Sequence, residues 1–154
     1  MTADVGDTPT NSDRPWTVHY TPGTTQGLDY GATTLCDQFD RAVTAHFDRP
    51  ATEFFGRHLS YAELGRRVRR AAEGLRLLGV EKGDRVAVLL PNCPQGIVVF
   101  YAGLRLGAIV VEHNPLYTAD ELEGPFVDHG AKAVVTWNVV TDVVEDLKSR
   151  PDTA

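Results

Sequence analysis

The sequence predicts an α/β protein: a partial doubly wound parallel sheet of about three strands with flanking helices, preceded by a β-hairpin. Three observations carry that prediction. Apolar runs of strand length begin at Arg85, Ala108 and Lys132. Segments with helical periodicity separate them, and each is long enough for a right-handed crossover. The first run, "RVAVLLPN", is almost continuously apolar, as in a parallel strand buried on both faces.

Residues 1–32 are rich in Thr, Pro, Gly and Asp and show no periodicity, which predicts an extended, loosely ordered arm. Residues 33–150 carry the α/β pattern, and 151–154 form a tail. Thr34 and Asp37 have the spacing of an acidic capping box, and Leu35, Phe39, Ala42 and Val43 then recur at helical spacing to about Phe47. Thr52–Phe55 and His58–Ser60 read as two short strands around Gly56-Arg57, where Gly in the first central position suits a type II′ turn. Ser60 and Glu63 form the next capping box. Tyr61, Leu64, Val68, Ala71, Ala72, Leu75 and Leu78 line one face of the helix that follows, with Glu63–Arg67 and Arg69–Glu73 as i,i+4 pairs. Gly79 suits the left-handed helix end. After the first strand come a helix over Pro94–Leu106, a strand over Ala108–Val111, and a turn at Asn114-Pro115. A helix capped by Thr118 and Glu121 then runs to about Gly130, followed by a strand over Lys132–Trp137 and a last helix over Val139–Leu147.

Composition narrows the function. The chain has 154 residues and a formal charge of −6. Residues 1–50 hold seven acidic and three basic groups and supply −4 of it. An acidic total argues against nucleic acid, whose phosphates need a cationic face. No run reaches the length of a transmembrane helix, since Gly96–Val111 is too short and contains Arg105. No export signal is visible, and Cys36 and Cys93 form no CxxC pair, so the expected location is the cytoplasm, with reduced thiols. Arg66, Arg67, Arg69, Arg70 and Arg76 give one helix a basic face: a solvated surface, or as a lesser reading a peripheral membrane or partner contact.

The glycine pair in "LGVEKGDRVAVLLPN" resembles a phosphate cradle only at first sight. Phosphate loops run from a strand into a helix N-terminus, whose free N–H groups meet the anion. Here a helix ends and a strand begins, so carbonyls flank the loop. "TPGTTQG", Thr21–Gly27, lacks both a preceding strand and a nearby lysine. "LPNCPQ", Leu89–Gln95, and "EHNPLYT", Glu112–Thr118, follow strand ends, where open α/β sheets hold their ligands. Cys93 at a helix N-terminus is either a nucleophile or a packing residue; His113 beside Glu112 is either an acid–base or metal group or a structural one. Ser12, Ser60 and Ser149 sit in no G-x-S-x-G, and the five histidines have no ligand spacing. These residues therefore assign no catalytic, cofactor-binding or metal-binding role.

The motif order is similar to a known family. "LSYAELGRRVRRAAEGLRLLGVEKGDRVAVLLPNCPQGIVVFYAGLRLGAIVVEHNPLYTADELEGPFVDHGAKAVVTW" resembles the N-terminal region of adenylate-forming, AMP-binding enzymes, and within them the long-chain fatty-acid–CoA ligases. The shared pattern is a Tyr-x-Glu-Leu helix start, Gly-Val-x-x-Gly-Asp-Arg-Val, a Pro-Asn strand end, a Gly-Ala strand, Asn-Pro-x-Tyr-Thr and a Gly-Ala-Lys strand start. "WTVHYTPG", "LDYGATTL" and "RPATEFFG" fit the same lead-in. Glu112-His113 departs from the Pro-containing pair of many relatives.

The resemblance implies a parent reaction in which ATP, fatty acid and CoA give acyl-CoA, AMP and pyrophosphate through an acyl-adenylate, with Mg²⁺ assisting. The family's Pro-Lys-Gly phosphate loop, its Tyr-Gly-x-Thr-Glu segment, its ribose-binding Asp and its C-terminal lysine do not occur in these 154 residues. The expectation is an N-terminal fragment of such a ligase: an inactive scaffold that binds no cofactor by itself and self-associates through uncovered sheet edges. The alternatives are a stand-alone, non-catalytic interaction module, or an unrelated nucleotide-binding α/β domain, which the missing glycine fingerprints disfavour.

Overall fold

The computed structural model describes residues 14–25, 27 and 31–153. Ser12, Gln26 and residues 28–30 of the lead-in motifs lie outside these. The chain divides into two compact units, 1–33 and 34–154.

In the first unit, Pro15–His19 form a 3-10 turn, and the buried Thr17 donates its hydroxyl to the Arg14 carbonyl at 2.9 Å. The "TPGT" start of the suspected phosphate loop is a type II turn. Pro22 and Gly23 (φ 88°) occupy its centre, and the Thr24 N–H closes it on the Thr21 carbonyl at 3.0 Å.

The second unit opens with α1 (Leu35–Ala45), whose capping box forms as the spacing predicts: Asp37 N–H donates to Thr34 Oγ1, and Thr34 N–H to Asp37 Oδ2. The hairpin follows as β1 (Pro50–Phe54) and β2 (Arg57–Ser60). Its turn corrects the expectation. Phe54 pairs with Arg57, so the loop is Phe55-Gly56, and both residues have positive φ, 49° and 74°. That is a type I′ geometry. It matches the right-handed twist of the strands, and it outweighs the steric preference against a bulky residue in the left-handed region.

α2 (Tyr61–Leu77) starts on the Ser60–Glu63 capping box. Leu64, Val68, Ala72 and Leu75 are buried as the periodicity predicts, but Leu78 is exposed. The two i,i+4 ion pairs give way to other partners: Glu63 spends its carboxylate on the Ser60 N–H, and Glu73 takes Arg76 in a two-pronged contact at 2.7 and 2.8 Å.

The helix ends in a Schellman motif, with Val80 N–H on the Leu75 carbonyl, Gly79 N–H on the Arg76 carbonyl, and Gly79 at φ 87°. Val80 and Leu75 are both buried in one cluster, which supplies the motif's apolar contact. Gly79–Gly83 is thus a helix stop followed by a turn into the sheet.

Three parallel strands, β3 (Arg85–Leu89), β4 (Ile109–Glu112) and β5 (Ala133–Thr136), pair in the order β4-β3-β5. Val86 faces Val110 on one side and Ala133 on the other. Side chains alternate across the sheet, so β3 serves two cores. Val86 and Val88 pack with α2 and with α3 (Pro94–Leu106); Ala87 and Leu89 pack with α4 (Ala119–His129) and α5 (Thr141–Lys148). From β3 to β4 the chain crosses by way of α3; from β4 to β5 it returns the other way by way of α4 on the opposite face. Direction and face reverse together, so both crossovers have the same hand. α1 joins the first side through Phe39, which stacks on Tyr101 of α3 at 4.3 Å between ring centres. The last helix begins later than the pattern predicts, because Asn138–Val140 form a 3-10 turn before α5.

Candidate functional site

β3 continues into α3 on one face of the sheet, whereas β4 leads to α4 on the other. The loops leaving these neighbouring strands therefore part, and a crevice opens at their carboxyl ends. A cavity of about 790 Å³ occupies it. Its floor is Val88 and Leu90, one wall is Ile97, Phe100 and Tyr101 of α3, and β1 closes another side with Thr52, Glu53 and Phe54. Residues of both loops singled out in the sequence line its margin: Asn92 and Cys93 from one, Glu112, His113 and Asn114 from the other, although the His113 ring itself lies against α4. The contribution of the hairpin was not legible in the sequence, because no local pattern links β1 to a strand end that follows it by more than thirty positions.

Cys93 is the N-cap of α3, partly exposed and without a side-chain capping bond; Pro94 follows at the first helical position. Cys36 lies on α1, where burial pushes its thiol up despite the Arg105 guanidinium nearby. Both cysteines are free.

Glu112 and His113 are neighbours in sequence but not in function. Glu112 is in register with Val88, on the cavity side of the sheet. The alternation turns the next side chain to the opposite face, beneath α4. There the His113 ring lies 5.2 Å from Phe126 and 5.1 Å from His129, and its Nε2 meets His129 Nε2 at 3.0 Å. Adjacent residues whose side chains leave opposite faces of the sheet cannot act as one acid–base dyad. Burial holds both imidazoles below the usual histidine range. His129 deepens the shift at His113, and at His129 Asp128 partly opposes it. Among the described residues no group of three or more His, Cys, Asp or Glu is placed to share a metal ion.

The basic face of α2 is solvent-facing at Arg66, Arg67, Arg69 and Arg70. No described helix is long and apolar enough to cross a membrane.

The pattern that defines the AMP-binding enzymes matches residues 39–154. This chain belongs to the AMP-binding enzyme family. Among curated AMP-binding relatives, the long-chain-fatty-acid–CoA ligase of Bacillus subtilis is 34% identical over 84% of this chain and 23% of its own length. That of Haemophilus influenzae is 38% identical over 88% of this chain and 24% of its own. The chain therefore spans about a quarter of the length of the curated relatives it matches. Among solved structures, the N-terminal domain of FACL13 from Mycobacterium tuberculosis superposes with a TM-score of 0.72 at 28% identity, over 77% of this chain and 30% of that one. The fatty acyl CoA synthetase from Mycobacterium tuberculosis gives 0.68 at 27%, over 75% and 24%. The α/β unit is thus the N-terminal portion of the AMP-binding fold as these ligases carry it.

The family name raises the question of nucleotide. The cavity lining contains Glu53 and Glu112 but neither lysine nor arginine, so it offers a triphosphate no cation. Its lining therefore does not fit the phosphates of ATP.

Proposed function

We propose that this chain serves a long-chain fatty-acid–CoA ligase as the N-terminal scaffold of its AMP-binding domain. The parent reaction is ATP, fatty acid and CoA to acyl-CoA, AMP and pyrophosphate, with Mg²⁺. The observation that carries the reading is the identity of 34–38% to enzymes of that name over 84–88% of the chain. The first step needs cationic and N–H donors around phosphoryl oxygens. The cavity lacks such cations, so the 154 residues act as scaffold and have no ligase activity alone. An ATP–pyrophosphate exchange assay with palmitate and the purified chain tests this. Exchange at the blank level is expected; clear turnover overturns the scaffold role.

Fatty acid, ATP and CoA are accordingly partners of the parent enzyme, and the cytoplasm is its proposed location. The exposed arginines of α2 support a peripheral contact with anionic membrane surfaces. Within the described sheet, β4 and β5 each pair on one side only. Such edges invite pairing, so the isolated chain self-associates. Concentration-dependent early elution on gel filtration is the expected result; a monomer at all concentrations with a cooperative, high-temperature melt contradicts it.

A further inference from the structure

The His113–His129 contact lies outside anything the ligase reading uses. It joins the first residue after β4 to the last residue of α4, across the loop that carries Asn114 and Pro115 to the rim of the cavity. His113 is anchored at its backbone, where its N–H donates to the Val88 carbonyl at 2.9 Å, so its ring is the part left to move. His129 is anchored too: its carbonyl accepts from Arg85 Nε at 2.6 Å. Helical side chains lean toward the helix N-terminus, which aims the His129 ring up the sheet at His113.

A short contact between two ring nitrogens needs one donor and one acceptor. His129 Nδ1 is buried without a partner. A proton there would be an orphaned N–H donor, the less tolerated of the two unsatisfied states. The arrangement therefore assigns the His129 proton to Nε2, donating to His113 Nε2, with the His113 proton on Nδ1. A further proton has two places to go. On His129 Nδ1 it is buried without an acceptor. On His113 Nε2 it removes the acceptor and sets two N–H groups against each other.

We propose that the His113–His129 pair is a proton-operated latch, which holds the 113–118 loop against α4 while both imidazoles are neutral and releases that loop, and with it the cavity rim, on acidification. The charged groups around the pair are few. Asp128 precedes His129 and favours protonation, and Arg85 from β3 opposes it. Glu112 points to the other face of the sheet, and the Phe126 ring lies tilted against both imidazoles at 5.2 and 4.8 Å. Burial holds both pKa values down, so the latch is closed at neutral pH and opens as pH falls.

The test is amide hydrogen exchange at Leu116 and Tyr117, whose N–H groups bond to Asn114, in the 154-residue chain between pH 8 and pH 4, corrected for intrinsic rates, with the imidazoles followed by NMR. Protection in the loop is expected to fall about tenfold per pH unit once the pair titrates, while the amides of β3 hold theirs. His129→Gln keeps the link in either state of His113, since an amide both donates and accepts, so its loop protection stays flat with pH. If that variant does not fold, His113→Gln makes the same comparison. Wild-type protection that stays flat while the NMR signals show the imidazoles protonating, imidazoles that stay neutral down to pH 4, or a wild-type-like fall in the Gln variant, overturns the latch.

Discussion

Arg85, the first residue of β3, donates its Nε to the carbonyl oxygen of His129, the last residue of α4, at 2.6 Å. A cation thus sits on the negative end of the helix dipole and satisfies a carbonyl that has no partner within the helix. Arg85→Ala removes both. Urea unfolding should show a loss of about 1–2 kcal/mol, and Arg85→Lys should recover part of it. An unchanged midpoint refutes a stabilising role for the contact.

Phe55 is 92% exposed and holds φ at 49°. A bulky residue in the left-handed region is strained by about 1–2 kcal/mol, and its edge-to-face contact with Phe54 returns about 0.5–1.5. Phe55→Asn places Asn-Gly in a type I′ turn, the pairing that geometry favours most. The midpoint should rise by about 0.5–1 kcal/mol, read by thermal melting. A fall instead means the ring has a packing role that exposure alone does not reveal.

Gly103 and Gly74 make a matched pair. A Cβ on Gly103 would lie 2.7 Å from Val110 Cγ2, whereas a Cβ on Gly74 would meet nothing within 4 Å. Both lie within helices, where alanine is preferred by about 1 kcal/mol. Gly74→Ala should therefore stabilise by about 0.5–1 kcal/mol, and Gly103→Ala should destabilise by about 1–2 as α3 is pushed from β4. Chemical denaturation of the two variants decides it; the same sign for both sinks the close-approach argument.

Asp84 Oδ2 accepts from Lys132 Nζ at 2.9 Å and from the Glu81 N–H at 2.7 Å, and these bonds hold its carboxyl below the usual range. The folded pKa is the lower one, so the stabilisation is complete above the unfolded value near 4 and vanishes as pH falls through the folded value. Asp84→Asn should be less stable than wild type at pH 7, with the gap closing toward pH 2–3. A gap independent of pH assigns the effect to hydrogen-bond geometry rather than charge.

Much of this architecture was legible because it rests on local chemistry. The Thr34, Ser60 and Thr118 capping boxes and the Gly79 and Gly130 helix ends fall where the residues place them. The hairpin turn lies one residue from where Gly56 alone places it, because Gly56 suits either of two registers and only the strand pairing chooses between them. Leu78 continues the α2 stripe in sequence yet projects into solvent, since the helix stops one residue earlier. At the crevice, both lining loops were recognisable as strand ends, but the hairpin wall and the His113–His129 contact depend on long-range packing.

β3 belongs to two apolar clusters at once, Val86 and Val88 on one side, Ala87 and Leu89 on the other. Its pairing with β4 becomes available soon after it leaves the ribosome; its second partner, beginning at Ala133, arrives a further twenty-odd positions along. Until then the strand is covered on one side only, and neither half of the molecule reaches its final packing without it. The two halves are therefore obliged to fold and melt as a unit, with this five-residue strand as the common member.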